Sequence, residues 1–145
     1  RTSVELAKIL LRDYWQKDVK LVPGAEDYRK DIRGATAGVV IGDRALEQRK
    51  KSSYIYDLGE AWKNHTGLPF VFAAWVGYHS FDEQFVAAFN EANAYGLKHL
   101  REVIAGHPYN LFDLEQYYTK YISYELTAAK RKGLQKFLGH LKVTV

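Results

Sequence analysis

Apolar positions fall at helical spacing near the start of the chain and again after Trp75, and at strand spacing or in unbroken runs between them. Leu6, Ile9, Leu10 and Tyr14 make one helical face, and Thr2 stands three residues before Glu5, the spacing of a capping box. This predicts a helix from Ser3 to Trp15. Asp18 to Val22 alternates polar and apolar up to Pro23-Gly24, which predicts a short strand closed by a turn, and a short helix is expected from Ala25 to Ile32. The stretch Ala37–Leu46 is the centre of the pattern. Val39, Val40 and Ile41 are consecutive β-branched residues without polar alternation, the pattern of a strand covered on both faces of a parallel α/β sheet. That strand stops at Gly42-Asp43 and runs into a helix from Arg44 to Lys51.

An edge strand is expected at Tyr54–Leu58, a helix at Gly59–Asn64 and a turn at Thr66-Gly67. Leu68 to Val76 is the most apolar run, headed by Pro69 and rich in aromatics, and reads as a long buried strand able to cross between two lobes. Helix alone is expected beyond it. Ser80 and Glu83 repeat the capping-box spacing, and Phe81, Phe85, Val86, Phe89, Leu97, Leu100 and Ile104 keep helical spacing to Gly106, with Gly96 as a point of bending. Asp113 is placed to cap a helix carrying Leu114, Tyr117, Tyr121 and Ile122, and Thr127 one carrying Leu134, Phe137, Leu138 and Leu141.

Composition narrows the class. A chain of 145 residues with 47% hydrophobic content is long enough for a globular core. Twenty-one Lys and Arg against seventeen Asp and Glu give a net charge of +4, but the basic residues are scattered, which does not make the stripe of a nucleic-acid binder. The surplus suits attraction of a small anion. There is no cysteine, hence no disulfide, thiolate metal site or thiol nucleophile, which fits a reducing compartment and makes the cytoplasm the expected location. No apolar run reaches the length of a membrane span, and no signal-peptide pattern opens the chain. Methionine is absent even from position 1, so the sequence is expected to be a fragment cut immediately after a strand.

Candidate chemistry is sparse. There is no Gly-rich phosphate loop, no paired-histidine metal motif and no nucleophile elbow, and the five histidines stand apart in sequence, so no metal site is expected. What remains is binding at the ends of elements. The first amides of the opening helix lack helical acceptors and the helix dipole is positive there, so Thr2 and Ser3 form a candidate anion site. Glu5 opposes it unless its carboxylate turns back to cap. Gly42-Asp43 lies where ligands of open α/β sheets bind, beyond a strand's carboxyl end, and a missing Cβ there lets a ligand approach the backbone. Structural readings stand beside both: hydroxyl capping for Thr2 and Ser3, and an N-cap role for Asp43.

The order of these pieces closely resembles the menaquinone-biosynthesis chorismate dehydratases of the futalosine pathway. The resemblance is carried by Arg1-Thr2-Ser3, by Ile41-Gly42-Asp43-Arg44-Ala45-Leu46, and above all by Asp57-Leu58-Gly59-Glu60-Ala61-Trp62 followed by Thr66-Gly67-Leu68-Pro69-Phe70-Val71-Phe72-Ala73-Ala74-Trp75. It covers nearly the whole chain. It implies a type II periplasmic-binding-protein-like α/β fold, here one α/β lobe plus the C-terminal helices of the other lobe. The corresponding domains are residues 1–67 (an α/β lobe without its first strand), a crossing strand at 68–76, and a helical segment at 77–145. The resemblance further implies a lyase that dehydrates chorismate to 3-[(1-carboxyvinyl)oxy]benzoate without metal or organic cofactor. Thr2 and Ser3 would then hold a substrate carboxylate, and Gly42 and Asp43 would floor the site; the group that takes the proton is unassigned. A non-catalytic small-anion binding protein of the same fold is the alternative. Neither reading involves nucleic acid or membrane. The apolar faces after Trp75 call for cover, from a homo-oligomer or from a missing N-terminal segment.

Overall fold

The apolar stripes at helical spacing become helices. The computed structural model describes residues 1–141, and the last four residues of the expected 77–145 segment lie outside them. The elements are α1 (Thr2–Asp13), a 3-10 turn (Tyr28–Asp31), α2 (Asp43–Arg49), α3 (Leu58–Thr66), α4 (Glu83–Lys98), α5 (Leu100–Gly106), α6 (Leu114–Gln116), a π-helical turn (Tyr117–Tyr121) and α7 (Ala128–His140). They belong to two compact units, one of Arg1–Ala73 with the chain from Leu126 onward, the other of Ala74–Glu125.

The first unit owns the core. Leu6, Ile9 and Leu10 of α1 meet Ala61 and Trp62 of α3 and Phe137 of α7, with Trp15, Leu58, Phe70 and Leu141 packed around them. Trp62 is fully buried and takes Phe70 and Phe137 edge-on, at ring-centroid distances of 5.6 and 6.1 Å. Gly133 lets α7 lie directly on the Leu68-Pro69 backbone, since a Cβ there would collide with the Pro69 carbonyl oxygen. α3 is fixed at both ends: Asp57 accepts from the amides of Gly59 and Glu60 at 2.9 and 3.0 Å, and Gly67 closes the helix in the left-handed region at φ 71°.

In the second unit α4 starts on Asp82, whose side chain accepts from the Phe85 amide at 2.7 Å. The break before α5 falls at His99 rather than Gly96: the His99 ring lies 4.0 Å from Tyr95, and its Nδ1 is 2.7 Å from the Tyr95 carbonyl oxygen. Asp113 caps α6 as expected, but after three residues the chain widens into the π-helical turn, where Phe112 packs on Tyr117 and Tyr121. No residue from Ala74 to Glu125 is buried.

Among the described residues there is no strand and no sheet, which overturns the expected α/β, type II periplasmic-binding-protein-like fold. The segments 18–22, 37–41, 54–57 and 68–76 lie outside any helix and join no ladder. A β-branched run sets only a backbone preference; a strand also needs a second backbone to pair its N–H and C=O groups, and a two-sided apolar run needs cover on both faces. Neither is present at the central run. The Val39 carbonyl oxygen accepts from the Tyr28 hydroxyl at 2.8 Å instead of a neighbouring strand, and Val39 and Ile41 stay more than a third exposed. Trp75 and Val76 are over four-fifths exposed, the reverse of a buried strand. No helix of the described residues is long and apolar enough to cross a membrane.

Candidate functional site

The four residues singled out by sequence sit at two helix starts in the first unit. Thr2 and Ser3 are the first two residues of α1, with Arg1 in the N-cap position. The Arg1 carbonyl oxygen accepts from the amides of Val4 and Glu5 at 3.0 and 3.2 Å, so the amides of Thr2 and Ser3 are the ones left without a helical acceptor. The capping box is not formed. Arg1 precedes the helix and offers no side-chain acceptor, which moves Thr2 inside it, and Glu5 instead pairs with Lys8 one turn on, at 2.9 Å. Glu5 keeps its charge in the first turn of α1, partly offset by Lys8. Thr2 is exposed and Ser3 half-buried, while Leu6, Ile9 and Leu10 one face away hold the helix in the core.

Gly42 and Asp43 open α2. Gly42 is the N-cap at φ 65°, ψ −153°, a conformation open essentially to glycine alone, and a Cβ built on it would meet nothing within 4 Å. Asp43 is therefore not the N-cap. It is the first helical residue, exposed, with its charge at the favourable end of the dipole. The glycine's fixed turn took the capping place that the aspartate was expected to fill. α2 is tied to the 3-10 turn by Arg29 and Glu47, paired at 2.8 Å, and Arg29 holds the Glu47 carboxyl below its ordinary value. Among the described residues no hydrogen bond, ion pair or ring contact joins the Thr2-Ser3 pair to the Gly42-Asp43 pair. Each pair shares one helix start by sequence adjacency.

The stretch Asp57–Trp75, which carries most of the resemblance, turns out to build the scaffold. Asp57 caps α3, Trp62 fills the core, and the Thr66 hydroxyl donates to the Trp62 carbonyl oxygen at 2.8 Å while accepting from the Leu68 amide at 3.2 Å. Gly59 leaves room for the Phe72 ring. Asp57 was expected inside an edge strand and is instead the N-cap of α3; the signal that could have found it is its place three residues before Glu60 at the head of Leu58, Ala61 and Trp62. In the second unit an open concavity of about 370 Å³ lies between α4–α5 and α6, over Leu97, Leu100 and Ile104, with Arg101 and Glu115 3.6 Å apart; none of the four sequence-selected residues lines it. Among the described residues no group of three or more His, Asp or Glu side chains is placed to hold a metal ion.

Compared with known families, residues 1–142 match the model of the family described as menaquinone biosynthesis. No solved structure matches the chain.

Proposed function

We propose, from the premise that this chain belongs to the menaquinone-biosynthesis family, that it acts as part of a lyase dehydrating chorismate to 3-[(1-carboxyvinyl)oxy]benzoate. The observation that carries the reading is the family match over residues 1–142, narrowed by the Asp57–Trp62 and Thr66–Trp75 resemblance. The chemistry asks little of the protein. The ring hydroxyl leaves with its electron pair, the neighbouring ring C–H gives up its proton, and the C–H electrons become the third double bond of an aromatic ring. Aromatisation drives the step, so holding and orienting the dianion supplies much of the catalysis.

In this reading one substrate carboxylate docks on the free amides and hydroxyls at Thr2 and Ser3, where the positive end of α1 favours negative charge. Gly42 admits the substrate close to the backbone. Asp43 cannot favourably face a carboxylate unless it is protonated or bonded to the substrate hydroxyl, and no role is assigned to it. No residue is assigned as the proton acceptor.

The test incubates protein containing this chain with chorismate and follows the aromatic product by chromatography. Product above the spontaneous background supports the lyase; none, with helical circular dichroism intact, leaves anion binding alone. In active protein, Thr2→Ala and Ser3→Ala should each weaken substrate binding by about 1–3 kcal/mol, the cost of taking a donor from a desolvated charge. Unchanged kinetics in both variants would return these residues to a purely structural role.

A further inference from the structure

The second unit has no buried residue, and its apolar side chains are not scattered. Phe81, just before α4, stacks on Phe85, and Phe85 stacks on Phe89 one turn along the helix, with centroids 4.7 and 6.2 Å apart and planes within 29° and 21° of parallel. Trp75 stands edge-on to Phe89 at 5.4 Å and is 82% exposed, while Phe81 and Phe85 are 44% and 48% exposed. The same helical face continues through Ala92 and Gly96, both exposed, and a Cβ at Gly96 would meet nothing within 4 Å. By the 3.6-residue period Glu83, Glu91 and Lys98, the charged residues of α4, fall on the other side of the helix. The face is therefore uncharged, bulky in its first half and hollow in its second.

We propose that this face is self-complementary: two copies of the chain pair through antiparallel α4 helices, the Phe81 and Phe85 rings of each seated over Gly96 and Ala92 of the other. One register satisfies every position at once. Phe85 lies opposite Ala92 and Phe89 opposite Ala88, about a two-fold axis passing between residues 88 and 89, and Phe81, stacked on Phe85 just before the helix, is carried toward Gly96. A parallel pair would instead set ring against ring and hollow against hollow. The antiparallel arrangement also opposes the helix dipoles. The exposed portions of Trp75, Phe81, Phe85 and Val86 amount to about 500 Å² per copy, so about 1,000 Å² in all, the lower bound for a specific interface. The pair is accordingly weak and reversible.

Sedimentation of the whole chain across the micromolar range tests the stoichiometry. A reversible monomer–dimer equilibrium is expected, weakened about tenfold or more by Gly96→Leu, which fills the seat. Should Gly96→Leu lose helicity, Ala88→Arg at the axis carries the same expectation. The chain has no cysteine, so orientation is read by oxidising single-cysteine variants. A mixture of Phe85→Cys with Ala92→Cys should give disulfide-linked dimers that neither variant gives alone. A monomer at every concentration, open-ended aggregates, or cross-linking of each variant with itself overturns the proposal.

Discussion

Replacing Gly133 by Ala should destabilise the protein, while the same replacement six residues later, at Gly139, should stabilise it. Both glycines lie inside α7, and in each case Ala raises intrinsic helix propensity by about 1 kcal/mol. They differ in what the new methyl group meets. At Gly139 there is nothing within 4 Å. At Gly133 the methyl would overlap the Pro69 carbonyl oxygen and press on the Pro69 carbonyl carbon at 3.3 Å and the Leu68 Cβ at 3.6 Å, and backbone cannot swing aside as a flexible side chain can. Overpacking of this kind costs about 1–3 kcal/mol. Lifting α7 also draws Phe137, one turn on, away from Phe70 at 4.9 Å and Trp62 at 6.1 Å, aromatic pairs worth about 0.5–1.5 kcal/mol each. The net expectation is a loss of about 2 kcal/mol at Gly133 and a gain of up to about 1 kcal/mol at Gly139. Urea titrations followed by far-ultraviolet circular dichroism measure both. If Gly133→Ala proves as stable as Gly139→Ala, α7 does not rest on the Leu68-Pro69 backbone, and the reading of the core is wrong.

Gly42→Ala should cost about 1–3 kcal/mol although the space around it is empty, because the φ 65°, ψ −153° backbone strains any side chain; Gly139→Ala, equally open but on helical backbone, should not, and equal effects in the two would refute the argument. Asp57→Ala removes one acceptor from two α3 amides and should lower stability by about 1–2 kcal/mol in denaturant titration, with Asp57→Asn recovering most of it. Asp13 is hydrogen-bonded by Arg12, with His140 and His65 adding their field, so its folded carboxyl sits below the ordinary value. A lowered folded pKa contributes stability that is present above the unfolded value of about 3.9 and lost as pH falls through the folded one. The stability gap between wild type and Asp13→Asn, under about 1 kcal/mol for so exposed a pair, should hold at neutral pH and close only below about pH 4, as melts at stepped pH would show.

Helices were legible and their details less so. The apolar period of α1, α3 and α7 places those helices to within about two residues, the single helix expected to reach Gly106 is broken at His99 into α4 and α5, and the Asp113 and Thr127 caps form as their spacing suggests. The two capping boxes did not form, for local reasons. At α1 the Glu5 carboxylate found Lys8; at α4 Asp82, two residues closer to the helix than Ser80, took the N-cap place and the Phe85 amide. The strands failed for a different cause. Apolar alternation and β-branched runs report on a residue's own backbone, whereas a ladder depends on a second segment that no local window contains. Tyr28, eleven residues upstream of Val39, supplied a hydroxyl where a neighbouring strand was expected.

The candidate site tells the same story from the side of function. The residues on which the resemblance rests most heavily act from Asp57 to Phe70 as cap, core and turn, so their message about chemistry is indirect: they fix the face of α3 on which α1 is anchored. Through Leu6, Ile9 and Leu10 that anchoring fixes where α1 begins, and the start of α1 is where Thr2 and Ser3 offer their free amides. Under the proposed function, a substitution at Trp62 should therefore weaken substrate binding at Thr2-Ser3 without touching it. Trp62→Phe keeps an aromatic ring while opening a cavity worth about 1–3 kcal/mol of stability, and should raise KM for chorismate at temperatures where the variant is still folded. If KM stays at the wild-type value while the melting temperature falls, α1 does not need the Trp62 core to place its first amides, and the link from motif to site is broken.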